Sequence, residues 1–133
     1  MACLLLKKEK NSAMKQKNKL FLVLFIILII AITVLSLLPP KSDFELGKSD
    51  KIYHFLAYAI LSLNFGFIST KIRSYFIGIP FLIAYGLLIE FFQGFVPGRD
   101  PSFYDALANS VGVFLGFFIF RFNMIFSYIK TLF

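Results

Sequence analysis

The stretch Glu90-Phe91-Phe92-Gln93-Gly94-Phe95-Val96-Pro97-Gly98-Arg99-Asp100-Pro101-Ser102-Phe103-Tyr104-Asp105-Ala106-Leu107-Ala108-Asn109-Ser110-Val111-Gly112-Val113-Phe114-Leu115-Gly116 decides the fold. It sets a short polar loop, broken by prolines and glycines, between two apolar runs, and each run carries a carboxylate beside the loop. Long apolar segments that meet at such a turn read as membrane helices, and an ionisable group inside one of them marks a candidate functional site.

The rest of the chain agrees. Of its 133 residues 59% are hydrophobic and 16% charged, well under the quarter or so of charged residues usual in soluble domains. Uninterrupted apolar runs occupy residues 20–38, 52–70, 75–95 and 103–120. At 1.5 Å per residue each is long enough to cross a hydrocarbon layer of about 30 Å with little tilt. The expected fold is an all-α membrane protein, four transmembrane helices in a compact bundle. Residues 1–19 form a basic cytoplasmic tail, 20–120 the membrane domain and 121–133 a second cytoplasmic tail, mixed enough to continue the last helix or lie on the surface. Met14, followed by lysines, is a second candidate start beside Met1. The first run is too long for a signal-peptide core, and Pro39 and Pro40 stop it without a small-residue cleavage site. Lys71 and Arg73 leave room only for a tight connection, which makes the second and third helices antiparallel neighbours. A bend is expected near Pro80.

Basic residues set the orientation. Six lysines precede Leu20, and Lys71, Arg73, Arg121 and Lys130 fall on the same side, against Lys41, Lys48, Lys51 and Arg99 on the other. Both termini are therefore expected in the cytoplasm and the 90–105 loop outside. The net charge of +7 is a topology signal and not a nucleic-acid surface, because the lysine-rich start abuts a membrane helix. Tyr53, Tyr75, Tyr104 and Tyr128 fall near helix ends, where an interfacial ring is at home. The lone Cys3 is assigned no role.

Depth groups the polar residues. Counted inward from the outer helix ends, His54, Gln93 and Asp105 lie about 3–4 Å deep, and Tyr58, Glu90 and Asn109 about 8–10 Å. Asp50, His54 and Tyr58 step by four along one helix face. Asp105, Asn109, Gly112 and Gly116 do so along another, by four, three and four. Each residue also has a plainer reading. Ser102 with Asp105 resembles a capping box, and Asp50 can cap the second helix. Asn109 and Gln93 can be interhelical glue, and Gly112 with Gly116 a packing face for a helix of this chain or of a second copy, which would make a homo-oligomer. Glu90 needs a partner at its depth, and Arg99 is the natural one; alternatively Arg99 presents its fork to an anionic ligand. With one histidine and no paired-ligand spacing, no metal site and no cofactor are expected; His54, Glu90 and Asp105 would be the only candidate set.

In order along the chain, Asp50-Lys51, His54-Phe55, Tyr58, Glu90, Gln93, Arg99, Ser102, Asp105, Asn109, Gly112 and Gly116, with Ser36-Leu37-Leu38-Pro39 ending the first helix, resemble the VanZ-like family of small bacterial membrane proteins. The resemblance covers about residues 20–120. It implies a protein of the bacterial cell membrane, and the family's namesake is associated with resistance to the lipoglycopeptide teicoplanin. The leading expectation is an outward-facing pocket of Asp50, His54, Tyr58, Glu90, Gln93, Arg99, Ser102, Asp105 and Asn109 that binds an anionic envelope ligand, a lipid-linked precursor or a lipoglycopeptide, beside membrane lipid. An enzyme with His54 or Glu90 as general base is the alternative. The chain has no Gly-x-Ser-x-Gly elbow, His-Glu-x-x-His pair or phosphate-binding loop to support a known hydrolase plan. A structural protein held together by the same polar set is the third reading.

Overall fold

A computed structural model describes residues 2–39, 48–68 and 72–130. Four helices follow one another: α1 (Ala2–Leu37), α2 (Lys48–Ile68), α3 (Ile72–Gln93) and α4 (Phe103–Lys130). Each holds a segment long and apolar enough to cross a membrane: Gln16–Leu37, Asp50–Ile68, Arg73–Gln93 and Phe103–Met124. The large apolar side chains left outside the core, among them Leu24, Ile30, Phe81 and Phe118, would be a liability in water and suit lipid.

Several helix ends differ from the expected ones. The basic lead-in is helical and continuous with α1, because no glycine or proline interrupts residues 2–37 and Lys, Gln, Glu, Leu and Ala all favour helix. α2 begins four residues early, which puts Asp50 inside its first turn and not at its N-cap. α3 starts at Ile72 and runs through Pro80 to Gln93. α4 passes Arg121 and continues to Lys130. The loop at 40–47, the connection at 69–71 and residues 131–133 lie outside the described residues.

α2 is the central element, packed most extensively on α4 and also on α1 and α3, whereas among the described residues α1 touches α2 and α3 but not α4. Gly112 and Gly116 explain the α2–α4 contact. A Cβ at Gly112 would strike the Phe55 carbonyl oxygen, and one at Gly116 the Ala59 carbonyl oxygen, so the backbones meet with nothing between them. The small-residue face that could have paired with a second copy is therefore filled by α2 of the same chain. Tyr75, expected at the interface, is buried in the core beside Leu61, Val113 and Phe120. Its hydroxyl donates to the Ser62 carbonyl at 2.6 Å, which gives the ring a reason to turn inward.

Candidate functional site

The C-terminal ends of α1 and α3 and the N-terminal ends of α2 and α4 meet at one end of the bundle. The residues expected to share a depth are found there together. His54, Glu90, Gln93, Asp105 and Asn109 are all buried.

His54 occupies the centre. Its Nδ1 lies 3.0 Å from Asn109 Oδ1 and 3.7 Å from Glu90 Oε1, and its Nε2 lies 3.8 Å from Asp50 Oδ1. The i,i+4 step from Asp50 to His54 places these two on one face of α2, as the spacing required. Tyr58, one turn deeper, is fully buried. Its hydroxyl has no hydrogen-bond partner among the described residues.

Glu90 does not pair with Arg99. Its Oε2 accepts the backbone N–H of Ser102 at 3.3 Å, at the positive end of α4, where a carboxylate is favoured. Ser102 is the residue before the helix, and its carbonyl accepts the N–H groups of Asp105 and Ala106. The capping box expected within α4 is thus completed from α3: Glu90 takes the N–H that Asp105 was expected to take. Asp105 instead faces Lys51, with Oδ1 and Nζ 3.4 Å apart.

Arg99 holds α1. Gly98, at φ 79°, turns the loop in a conformation that side chains disfavour. Beyond it Arg99 donates from Nε to the Leu38 carbonyl at 3.0 Å and from Nη2 to the Leu35 carbonyl at 3.3 Å. Its Nη1 lies 3.6 Å from Asp50 Oδ2. A guanidinium satisfies the orphan carbonyls at a helix C-terminus and its negative dipole end together. Gln93 does the same for Ser36 O, at 3.0 Å. The fork that was to hold an anion is therefore occupied by α1 and Asp50.

Two cavities adjoin the cluster. A groove of about 420 Å³ opens between α1 and α2, with walls that include Ile32, Leu35, Ala57 and Tyr58 and a polar end at Asp50, His54 and Arg99. A smaller pocket of about 210 Å³ lies against Lys51, Gln93, Ser102 and Asp105 and shares Asp50 and Arg99 with the groove. Ile32, Leu35 and Ala57 are additions to the expected site. Ser36, the last polar residue of the first apolar run, is the one sequence signal that pointed toward this wall. Among the described residues, one donor atom each from Asp50, His54 and Asp105 lies within 4.8 Å of the others. This set has Asp50 where the sequence offered Glu90. No family model, curated protein or solved structure matches the chain.

Proposed function

We propose that this is a VanZ-like protein of the bacterial cytoplasmic membrane, both termini in the cytoplasm, that binds an amphiphilic envelope ligand such as a lipid-linked precursor or a lipoglycopeptide. The carrying observation is that the two cavities adjoin at a shared pair of lining residues. A mostly apolar groove and a more polar pocket both have Asp50 and Arg99 in their walls. A ligand with an apolar tail and a polar head has that shape, and few convergent polar groups in a mostly apolar cleft suit specific binding. Arg99 serves in this reading as the latch of the groove wall, and Lys51 is the cation nearest the head.

Photocrosslinking with a diazirine-tailed isoprenoid phosphate tests it. Wild type should label within the groove, and Ala57→Phe, which fills the groove, should lose the label at equal membrane abundance. Equal labelling of both proteins would sink the reading. Teicoplanin susceptibility of a host expressing wild type or empty vector separates a lipoglycopeptide from a lipid precursor as the ligand.

The enzyme reading keeps one specific support, the imidazole of His54 set between the carboxylates of Asp50 and Glu90, an arrangement able to relay a proton. It requires turnover of an envelope lipid that disappears in His54→Ala and Glu90→Gln.

A further inference from the structure

We propose that Asp50, His54 and Asp105 bind a divalent transition-metal ion, of the Zn²⁺ or Mn²⁺ type, at the junction of the groove and the polar pocket. Their donor atoms, two carboxylate oxygens and an imidazole nitrogen, lie within 4.8 Å of one another. His54 and Asp105 are buried, and Asp50 is half-buried. Around an ion at about 2.1 Å, tetrahedral neighbours stand roughly 3.4 Å apart, so the set closes onto a metal by about an ångström.

The surroundings of His54 prepare it as a ligand. Two acceptors face Nδ1, Asn109 Oδ1 at 3.0 Å and Glu90 Oε1 at 3.7 Å, and the ring proton is assigned to Nδ1. Nε2 is then left with its lone pair, 3.8 Å from Asp50 Oδ1. Metal-bound histidines are oriented in this way, with the other ring nitrogen donating to a carboxylate or a carbonyl oxygen.

Asp105 also has acceptor capacity to offer a metal. Asp105 Oδ1 is enclosed and accepts no hydrogen bond among the described residues, on a residue only 7% exposed. Lys51 Nζ approaches Asp105 Oδ1 at 3.4 Å as an ion pair and not as a hydrogen bond. Buried acceptors without a hydrogen bond are costly, and a metal ion between the carboxylates and Nε2 gives Asp105 Oδ1 a direct bond that the longer ion pair with Lys51 does not. Imidazole with carboxylates favours Zn²⁺ and Mn²⁺ over the all-oxygen sites of Mg²⁺ or Ca²⁺. Asp50 and Asp105 also line the polar pocket, so the coordination positions that the protein leaves open face the space where an anionic oxygen of a ligand would enter.

The test uses the full chain in detergent, purified through a histidine-free tag, stripped with chelator and then titrated with Mn²⁺ or Zn²⁺ in the absence of any envelope lipid. Because no lipid is present, its outcome is separate from the groove reading. Equilibrium dialysis should give about one ion per chain, and Asn109→Ala should weaken binding by about ten- to a hundredfold. Asp105→Asn and His54→Gln should abolish it, whereas Asp100→Asn, in the same pocket but outside the ligand set, should bind as wild type does. The chain holds a single histidine, so nitrogen modulation in the pulsed EPR spectrum of bound Mn²⁺ reports His54 and nothing else, even where a variant fails to fold. Absence of saturable binding by wild type, absence of that nitrogen signal, or binding unchanged in folded Asp105→Asn overturns the site.

Discussion

The two ends of this bundle satisfy their polar groups in different ways. At the end away from the cluster, Tyr75 is enclosed by aromatic rings, with Phe117 at 5.0 Å, Phe120 at 5.5 Å and Phe65 at 5.6 Å between centroids. Phe21 of α1 stacks on Phe67 of α2 at 4.7 Å. The polar atoms within this apolar packing are largely used: Tyr75 donates to Ser62 O, and Ser62 donates to Val113 O at 2.7 Å. Asn64 Oδ1 is the exception. At the other end, Tyr58 Oη, Glu90 Oε1, Asp105 Oδ1 and Asn109 Nδ2 are all buried without a hydrogen bond among the described residues, although Asp105 Oδ1 keeps its ion pair with Lys51. An unsatisfied buried group costs about 1–3 kcal/mol, so the polar end carries a stability cost that the aromatic end avoids. The lesson is that one half is finished by its own side chains, and the other has the form of a site finished by something else.

Substitutions can break that contrast. The largest effect belongs to the seam that joins both halves. Gly116→Leu drives a side chain into the α2 backbone at Ala59 and Leu63, which cannot yield as a flexible side chain can, and folded protein should be lost, as read by gel filtration in detergent. Next is Arg99→Ala, which releases the α1 carbonyls and leaves Asp50 without its cation. A loss of about 2–3 kcal/mol is expected, at or below the low end for a buried pair because Asp50 is partly exposed, and thermal unfolding in detergent measures it. An unchanged midpoint would mean that the polar end does not hold α1. Tyr75→Phe removes a satisfied hydroxyl and should cost about 1 kcal/mol. Tyr58→Phe removes an unsatisfied one and should change stability by less than about 0.5 kcal/mol, or raise it. If Tyr58→Phe destabilises as much as Tyr75→Phe, the two ends do not differ as described. If it leaves stability alone and reduces lipid crosslinking, the orphaned hydroxyl belongs to the ligand site.

The four helices were legible because apolar runs of membrane length have few other readings, and the polar cluster was legible because counting depth from helix ends needs no tertiary knowledge. Partner choice was not. The sequence leaves Arg99 either to pair with Glu90 or to offer its fork to an anion, yet it reaches the carbonyls of α1, since the Gly98 turn and the position of Leu35 and Leu38 are properties of the assembled chain. Glu90 found a backbone N–H at Ser102, a donor that appears in no sequence pattern. The groove depends on how far α1 stands from α2 at Ile32 and Ala57, and a one-dimensional reading cannot give that spacing. The candidate metal set was legible in two of its three members, His54 and Asp105, with Asp50 in place of the expected Glu90. Asp50 and His54 are four apart, but Asp105 joins them only because Gly112 and Gly116 bring α4 against α2.

The fastening of α1 also imposes an order in time. Translation delivers α1 before the residues that secure it, for Tyr85, Gln93 and Arg99 follow their carbonyl partners on α1 by 56 to 64 positions. A nascent chain halted before Gln93 holds α1 without its terminal clasps, while the ring contacts of Phe21 and Phe25 with α2 can already form. The clasps of the groove wall therefore cannot form until the turn at Gly98 has left the ribosome.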